Sequence, residues 1–226
     1  MINILESVNR IQNFIGDSLT LRISEIEGIL QNKNKSEISQ FLQKEVINTQ
    51  IINSAFSLKL VINQINVLIH ALGILLTLPK ILNEDEKVET LSLGAGNTGK
   101  PFDLETTFRI AEFKFINWKG GSESIRQNSL FKDFYLLAES DRYKRKELYV
   151  FGKEIPLKFL NGNRAIESVL SKNNKLLLEF RNKYQNKFIV VKDYYDYRKN
   201  DVRIINLYDI IPEIKDIIEL KSVEEL

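Results

Sequence analysis

Residues 101–115 have the sequence PFDLETTFRIAEFKF, in which charged and apolar side chains alternate on both sides of a pair of threonines. Such alternation is typical of β-strands with one polar and one apolar face. Placing Thr106 and Thr107 at the tip of a tight turn sets Asp103 opposite Ile110 on the returning strand. The segment therefore predicts a β-hairpin.

Three ionisable side chains fall on one face of this hairpin. Because side chains alternate with a period of two, Glu112 and Lys114 lie on the side of Ile110, and hence of Asp103. A loop of odd length would move Asp103 to the opposite face, so the prediction depends on the parity of the register. The opposite face is predicted to be apolar and to carry Phe102, Leu104, Ala111, Phe113 and Phe115.

This arrangement of charges suits phosphodiester hydrolysis. Two carboxylates on adjacent strands, at Asp103 and Glu112, have β-carbons within roughly 7 Å and can share a Mg²⁺ or Mn²⁺ ion. Lys114 can orient or help to deprotonate an attacking water and can offset negative charge in the transition state. We therefore expect a metal-dependent hydrolytic site on this face.

The flanking sequence predicts an α/β fold with a mixed sheet flanked by helices. A helix leads into three strands, another helix and a fourth strand, which gives the order αβββαβ. The predicted strands are residues 88–93, 102–105, 108–116 and 147–151, with a glycine-rich loop at 94–101 and a helix at 122–139. Helical segments near 164–183 follow, and then a hairpin of residues 188–197 and 202–208.

The first third of the chain has helical periodicity. Apolar residues recur at helical spacing from residue 2 to 82, and a polar cluster at 31–36 interrupts them. Ser36 is a candidate cap for a long second helix running toward Pro79, so two or three helices are expected. The predicted division is a helical region at 1–83 and an α/β domain at 84–226.

The motif and the element order together resemble the PD-(D/E)xK nuclease superfamily, with one residue inserted between Pro101 and Asp103. The resemblance covers residues 83–151. It implies a restriction-endonuclease-like core in which Asp103 and Glu112 are metal ligands and Lys114 is the catalytic lysine. The superfamily often adds a carboxylate from before the hairpin, for which Glu89 is preferred here. Glu86 is the alternative.

Polar residues around the hairpin are candidates for nucleic-acid contacts. Gln127, on the helix after the hairpin, is a candidate for positioning phosphate or water, although a solvated helix face explains it equally well. The candidate phosphate-binding residues are Lys100, Lys119, Arg126 and Lys132.

The loop at residues 94–100 has the sequence GAGNTGK and so satisfies the phosphate-binding pattern GxxxxGK. However, Pro101 stands where a Ser or Thr should bind Mg²⁺, and a predicted strand replaces the expected helix. A nucleotide-binding protein is therefore a third hypothesis. A glycine-rich connector is the simpler interpretation.

The composition of the chain limits the class of protein, its partners and the ligands available to a metal. Hydrophobic residues make up 43% of the chain and charged residues 27%, as in a globular protein. The net charge of +2 offers no strong general attraction to nucleic acid. No cysteine is present, which favours oxygen ligands for any metal and a reducing, cytoplasmic environment.

Residues 60–78 contain no charged side chain and approach the ~20 residues that span a bilayer. The segment also contains Asn63, Gln64, Asn66 and His70, which are costly to leave unpaired in lipid. We therefore expect no membrane span, with the helix packed against protein and His70 hydrogen-bonded in the interior.

These observations predict a Mg²⁺-dependent endonuclease that acts on DNA, with RNA as the other candidate substrate. Restriction, phage defence and repair all fit. A homodimer or a partner protein is expected at the N-terminal helices. The main alternative is a helical interaction protein whose nuclease-like core is inactive and serves as a docking platform.

Overall fold

The computed structural model describes residues 3–31, 33–94, 99–116, 118 and 123–213 of the 226-residue chain. The backbone forms two compact units, Met1–Asn66 and Val67–Leu226. The composition change predicted a boundary at residue 83. The boundary between the units falls earlier, inside a long helix, because the second half of that helix packs with the sheet.

Four helices occupy the first part of the chain, more than the two or three predicted. They are α1 (Ile4–Ile15), α2 (Leu19–Leu30), α3 (Lys35–Lys44) and α4 (Thr49–Ile81). The side chain of Asn34, not of Ser36, caps α3, in a reciprocal capping box with Glu37. The predicted long second helix is therefore divided in two. Val46, at a φ of 56°, lies in the break.

Helix α4 is the one helix in the described part of the chain that is long and apolar enough to cross a membrane by length and composition. Its second half packs against the sheet instead. Ile74 and Thr77 are fully buried, and Leu78 and Ile81 pack against the same cluster. Pro79 is accommodated near the end of the helix.

The second unit contains a five-stranded mixed sheet, which confirms the α/β class and the predicted flanking helices. Its strands are β1 (Val88–Leu91), β2 (Leu104–Thr106), β3 (Arg109–Lys114), β4 (Arg145–Val150) and β5 (Arg203–Asn206), in that spatial order. Neighbours are antiparallel from β1 to β3 and parallel from β3 to β5. Helix α5 (Ser124–Glu139) forms the crossover from β3 to β4.

Each face of the sheet carries its own apolar cluster. One face packs Ile110 and Leu148 against residues of α5 such as Leu130. The other packs Leu104 and Phe113 with Ile74 of α4 and with further residues of the sheet. The sheet is thus covered by helices on both faces.

The predicted C-terminal hairpin was wrong in its first strand, at 188–197, whereas its second strand, predicted at 202–208, is present as β5. After α6 (Glu154–Leu160), α7 (Ile166–Leu170) and α8 (Asn174–Tyr184), residues Val191–Arg198 form helix α9. Asp193 accepts hydrogen bonds from the N–H groups of Ile189 and Val190 and so caps this helix. The closely spaced tyrosines suggested a strand, but Tyr194 is buried against aromatic side chains of α5 and α8.

A buried ionic network ties the start of β3 to its surroundings. The Arg109 guanidinium donates hydrogen bonds to Glu86 (2.6 and 2.7 Å), to Glu147 (2.9 Å) and to the carbonyl of Ile81 (2.7 Å). The side chains of Glu86 and Glu147 are 0% and 2% exposed. Arg109 therefore connects the end of α4 and the segment before β1 with β3 and β4.

Candidate metal centre

The hairpin brings Asp103 and Glu112 together, although its register differs from the predicted one. Leu104 pairs with Ala111 and Glu105 with Ile110, so the same register places Asp103 opposite Glu112 and not opposite Ile110. The displacement is two residues, an even number. Parity is therefore preserved, and both carboxylates lie on the predicted face.

The position of the turn explains the displacement. The hydroxyl of Thr106 accepts hydrogen bonds from the N–H groups of Phe108 (3.1 Å) and Arg109 (2.9 Å). The tip is therefore formed by Thr107 and Phe108, one residue later than predicted. A threonine hydroxyl that caps a turn in this way is a local effect that strand periodicity does not encode.

The apolar face of the hairpin agrees with the prediction except at Phe102. Phe113 is 1% exposed and lies in the cluster with Leu104 and Ala111, with Phe115 packed against it. Phe102 packs instead with the cluster that contains Ile110. It precedes β2, in a bend, where the strand alternation does not apply.

Asp103, Glu112 and Lys114 interact with one another in a largely buried position. The carboxyl of Glu112 lies close enough to that of Asp103 for each to act on the other electrostatically, and both act on the Lys114 ammonium. Asp103 Oδ2 also accepts a hydrogen bond from the N–H of Phe113 at 3.0 Å. Two carboxyls this close in a buried position are not readily ionised together, because like charges repel.

The electrostatics of the two carboxyls differ. Burial raises the pKa of Glu112 well above its usual range, and the negative charges of Asp133 and Asp103 add to this effect. Burial also opposes ionisation of Asp103, but hydrogen bonds from His70 and from the Phe113 N–H outweigh it and lower the pKa of Asp103. Of the two carboxyls, Glu112 is therefore the one that protonates more readily.

Two residues that sequence reasoning did not assign to the site lie in it. Asp133 of α5 forms an ion pair with Lys114, and its side chain is 5% exposed. His70 of α4 places Nε2 at 3.4 Å from Asp103 Oδ1. Asp133 is a lone acid among the buried apolar residues of its helix, and this is the signal in the sequence that could have found it.

The Asp133 carboxylate determines the state of Lys114. Burial disfavours a charged lysine, yet the charge of the Asp133 carboxylate and its hydrogen bond with Lys114 outweigh burial and raise the pKa of Lys114 above its ordinary value. The side chain is therefore an ammonium at neutral pH. It can neutralise negative charge on a substrate but is unsuited to act as a base.

The remaining predicted site residues lie elsewhere or are engaged by other groups. Glu89 forms an ion pair with Lys144 Nζ at 2.5 Å, and Glu86 belongs to the buried network of Arg109. Asp133, rather than Glu89, is the third carboxylate that acts on Glu112. Gln127 accepts a hydrogen bond from Arg164 at 2.9 Å.

Three of the four predicted phosphate-binding residues lie in the described part of the chain, and each has a partner within the protein. Arg126 pairs with Glu123 at 2.6 Å, Lys100 donates to the carbonyl of Leu91 at 2.5 Å, and Lys132 Nζ lies 3.7 Å from Asp133. Lys119 lies outside the described residues, as do residues 95–98 of the glycine-rich loop. The nucleotide-binding hypothesis depends on that loop.

The donor set suits a hard divalent cation. Within the described ranges, no three histidine or acidic side chains are grouped closely enough to enclose a metal ion. However, Mg²⁺ is commonly held by one or two carboxylates, with water and substrate phosphate as the other ligands. Asp103 and Glu112 meet that requirement when the carboxyl of Glu112 is ionised.

No protein-family model, curated protein or solved structure matches this chain. Its function must therefore be argued from the arrangement of its own residues.

Replacing Asp133 with asparagine tests the role of the buried ion pair. For the metal-dependent hydrolysis that the sequence predicts, we expect loss of the charge that fixes Lys114 to slow cleavage by about 10- to 100-fold, as for other supporting residues of metal sites. Binding of Mn²⁺ should persist. The measurement is a single-turnover cleavage rate beside a Mn²⁺ titration, with the exposed Asp141→Asn as control. Loss of Mn²⁺ binding in Asp133→Asn would instead make Asp133 a ligand.

Proposed function

We propose that this chain is a metal-dependent nuclease of the PD-(D/E)xK type that hydrolyses phosphodiester bonds in DNA. The observation that carries the proposal is the carboxyl pair of Asp103 and Glu112 beside the ammonium of Lys114. The order of elements supports it, because α4, β1, β2, β3, α5 and β4 follow the αβββαβ order of the resembled superfamily.

Charge balance supports a divalent cation at this position. Three carboxyls, of Asp103, Glu112 and Asp133, interact with one ammonium, that of Lys114. In a buried setting, excess negative charge must be neutralised, and here a proton on Glu112 does so. Mg²⁺ or Mn²⁺ would replace that proton and polarise the scissile phosphate while acidifying the attacking water.

The residues of the chain divide the remaining tasks. Asp103, ionised and fixed by the Phe113 N–H, would hold the metal with Glu112. The Lys114 ammonium would stabilise the negative charge that develops on the phosphoryl oxygens as water attacks phosphorus and the sugar oxygen leaves. His70, which contacts Asp103, would orient that carboxylate. Asp133 would keep Lys114 charged and in place.

The setting of this activity is part of the proposal. The absence of cysteine favours a reducing cytoplasm. DNA is the proposed substrate, and RNA is the alternative to be tested beside it. Contacts from Lys132 and Arg126 would be to phosphates and would carry no sequence specificity.

A cleavage assay tests the proposal. Purified protein is incubated with single- and double-stranded DNA and RNA in the presence of Mg²⁺ or Mn²⁺. We expect cleavage of DNA that a chelator stops and that Glu112→Gln lacks. If no substrate is cleaved with either metal, the nuclease proposal fails, and an inactive core that serves as a docking platform takes its place.

The pH dependence of metal binding provides a separate prediction. Because Glu112 has a raised pKa, binding of Mn²⁺ must displace its proton. We expect the affinity for Mn²⁺ to increase by about tenfold per pH unit as the pH rises toward that pKa, with release of about one proton. Calorimetry in two buffers of different protonation enthalpy measures this release. An affinity independent of pH would contradict the assignment of Glu112.

A further inference from the structure

The first unit, Met1–Asn66, lacks an apolar interior. Among its described residues, only Ser7 and Ser54 are buried. Apolar side chains such as Phe14 and Phe41 are half-buried, and two polar contacts lie within the unit: Arg10 donates to the hydroxyl of Ser54 at 3.2 Å, and Arg22 pairs with Glu45 at 2.7 Å. Contacts of this kind stabilise little by themselves.

The helices of this unit are too short to be stable without packing. Helices α1, α2 and α3 have 12, 12 and 10 residues. In water, isolated helices shorter than ~12–15 residues are marginal, and most helical stability comes from burying an apolar face. Their stability therefore depends on how much of their apolar surface is buried.

The unit has enough apolar surface for a stable interface. Thirteen of its large apolar side chains are between 38% and 71% exposed. At these fractions they present on the order of 1,000 Å² together, compared with ~800 Å² per partner in a standard-size interface. On α4, Ile52, Phe56 and Leu60 form a stripe at intervals of four residues and are 55%, 58% and 63% exposed.

Lipid is a poor match for this surface. One face of the second half of α4 is held against the sheet, because Ile74 and Thr77 are fully buried and His70 contacts Asp103, while Leu72, Leu75 and Leu76 on its other side are 48%, 45% and 55% exposed. The part of α4 that precedes His70 carries the exposed polar residues Lys59 and Asn66, which a bilayer would leave unpaired.

The charges of the unit are balanced. Residues 1–66 contain six acidic and six basic side chains, for a formal net charge of zero. This balance provides no attraction to phosphate or to anionic lipid. Equally, it imposes no net repulsion between two copies of the same surface.

We propose that the apolar surface of α1 to α3 and the first part of α4 is covered by the same surface of a second copy of this chain. A two-fold interface is self-complementary, so one patch serves both copies and the assembly closes as a dimer. The dimer buries the stripe of Ile52, Phe56 and Leu60. It forms without metal or nucleic acid and does not depend on the proposed nuclease activity.

The test is the mass of the full chain in detergent-free buffer by sedimentation equilibrium. We expect twice the 26.3 kDa of one chain. The double variant Phe56→Glu/Leu60→Glu introduces carboxylates into the stripe and should raise the dissociation constant by about 100-fold or more, since unpaired charges at an interface cost several kcal/mol. Lys175→Glu, on α8 of the other unit at a position that is 89% exposed, should leave the dimer intact.

Three outcomes would overturn the proposal. They are a monomeric wild-type chain at micromolar concentration, a dimer whose mass Phe56→Glu/Leu60→Glu does not change, and a protein that stays in solution only with detergent. The last would indicate lipid as the covering surface. Circular dichroism of each variant establishes that the sheet domain is folded.

Discussion

Replacing Lys114 with alanine is expected to lower the rate of DNA cleavage by about 100- to 1,000-fold, which is the usual cost of removing one group that stabilises a transition-state charge. The carboxylates remain, so Mn²⁺ should still bind. Loss of the ammonium also removes a positive charge that opposes protonation of Glu112, so somewhat weaker metal binding at neutral pH is expected.

Single-turnover cleavage with saturating Mn²⁺ measures this effect. Lys132→Ala is the matched control, because Lys132 Nζ also lies near Asp133, at 3.7 Å, but the side chain of Lys132 is 43% exposed. It should weaken DNA binding without lowering the rate at saturation. Equal rates for wild type and Lys114→Ala would remove Lys114 from the mechanism.

Replacing Arg109 with methionine is expected to lower the free energy of unfolding by about 3–5 kcal/mol, because it leaves Glu86 and Glu147 buried without their counter-charge. Arg203→Met is the matched control. Arg203 lies 3.6 Å from the same Glu147 but is 67% exposed, so its loss should cost less than about 1 kcal/mol. Chemical denaturation of the two variants measures the difference. Equal effects would contradict a buried structural role for Arg109.

The same network predicts the acid sensitivity of the fold. Burial disfavours the charge on Glu86, but hydrogen bonds from Arg109 and Thr106 outweigh it and lower the pKa of Glu86 from 4.5 to about 2. A lowered pKa means that the ionised form stabilises the folded state. That contribution is complete above pH 4.5 and is lost as the pH falls toward 2. Arg109→Met should therefore unfold with a weaker dependence on pH in this range.

Local patterns in the sequence were sufficient for the order of the strands and for the face that carries the site. The alternation around Thr106 defines which face of the hairpin each residue occupies, provided that the loop has an even number of residues. This is why Asp103, Glu112 and Lys114 were predicted to converge even though the register was displaced by two residues.

Other features depend on contacts between residues distant in the chain. Asp133 approaches Lys114 only because α5 forms the crossover between β3 and β4. His70 reaches Asp103 only because the second half of α4 packs against the sheet. Helix α9 was mistaken for a strand because its aromatic residues fit either period over so short a segment. Tertiary burial of Tyr194 selects the helix.

The division of α4 between two units also could not be read from composition. Its apolar residues form one continuous run, yet one face of the second part packs on the sheet through Ile74, Leu78 and Ile81, whereas no apolar residue of the first part is fully buried among the described residues. Periodicity shows that a helix is apolar but does not identify the surface that covers it.

Titration of Mn²⁺ into the wild-type chain and into Glu112→Gln, followed by calorimetry, tests the central claim most directly. An amide oxygen is a much poorer ligand for this ion than a carboxylate. The account predicts saturable binding to the wild type, loss of that binding in Glu112→Gln, and retention in Glu89→Gln, whose carboxylate pairs with Lys144. Undiminished binding to Glu112→Gln, or none to the wild type, would contradict a metal centre at Asp103 and Glu112.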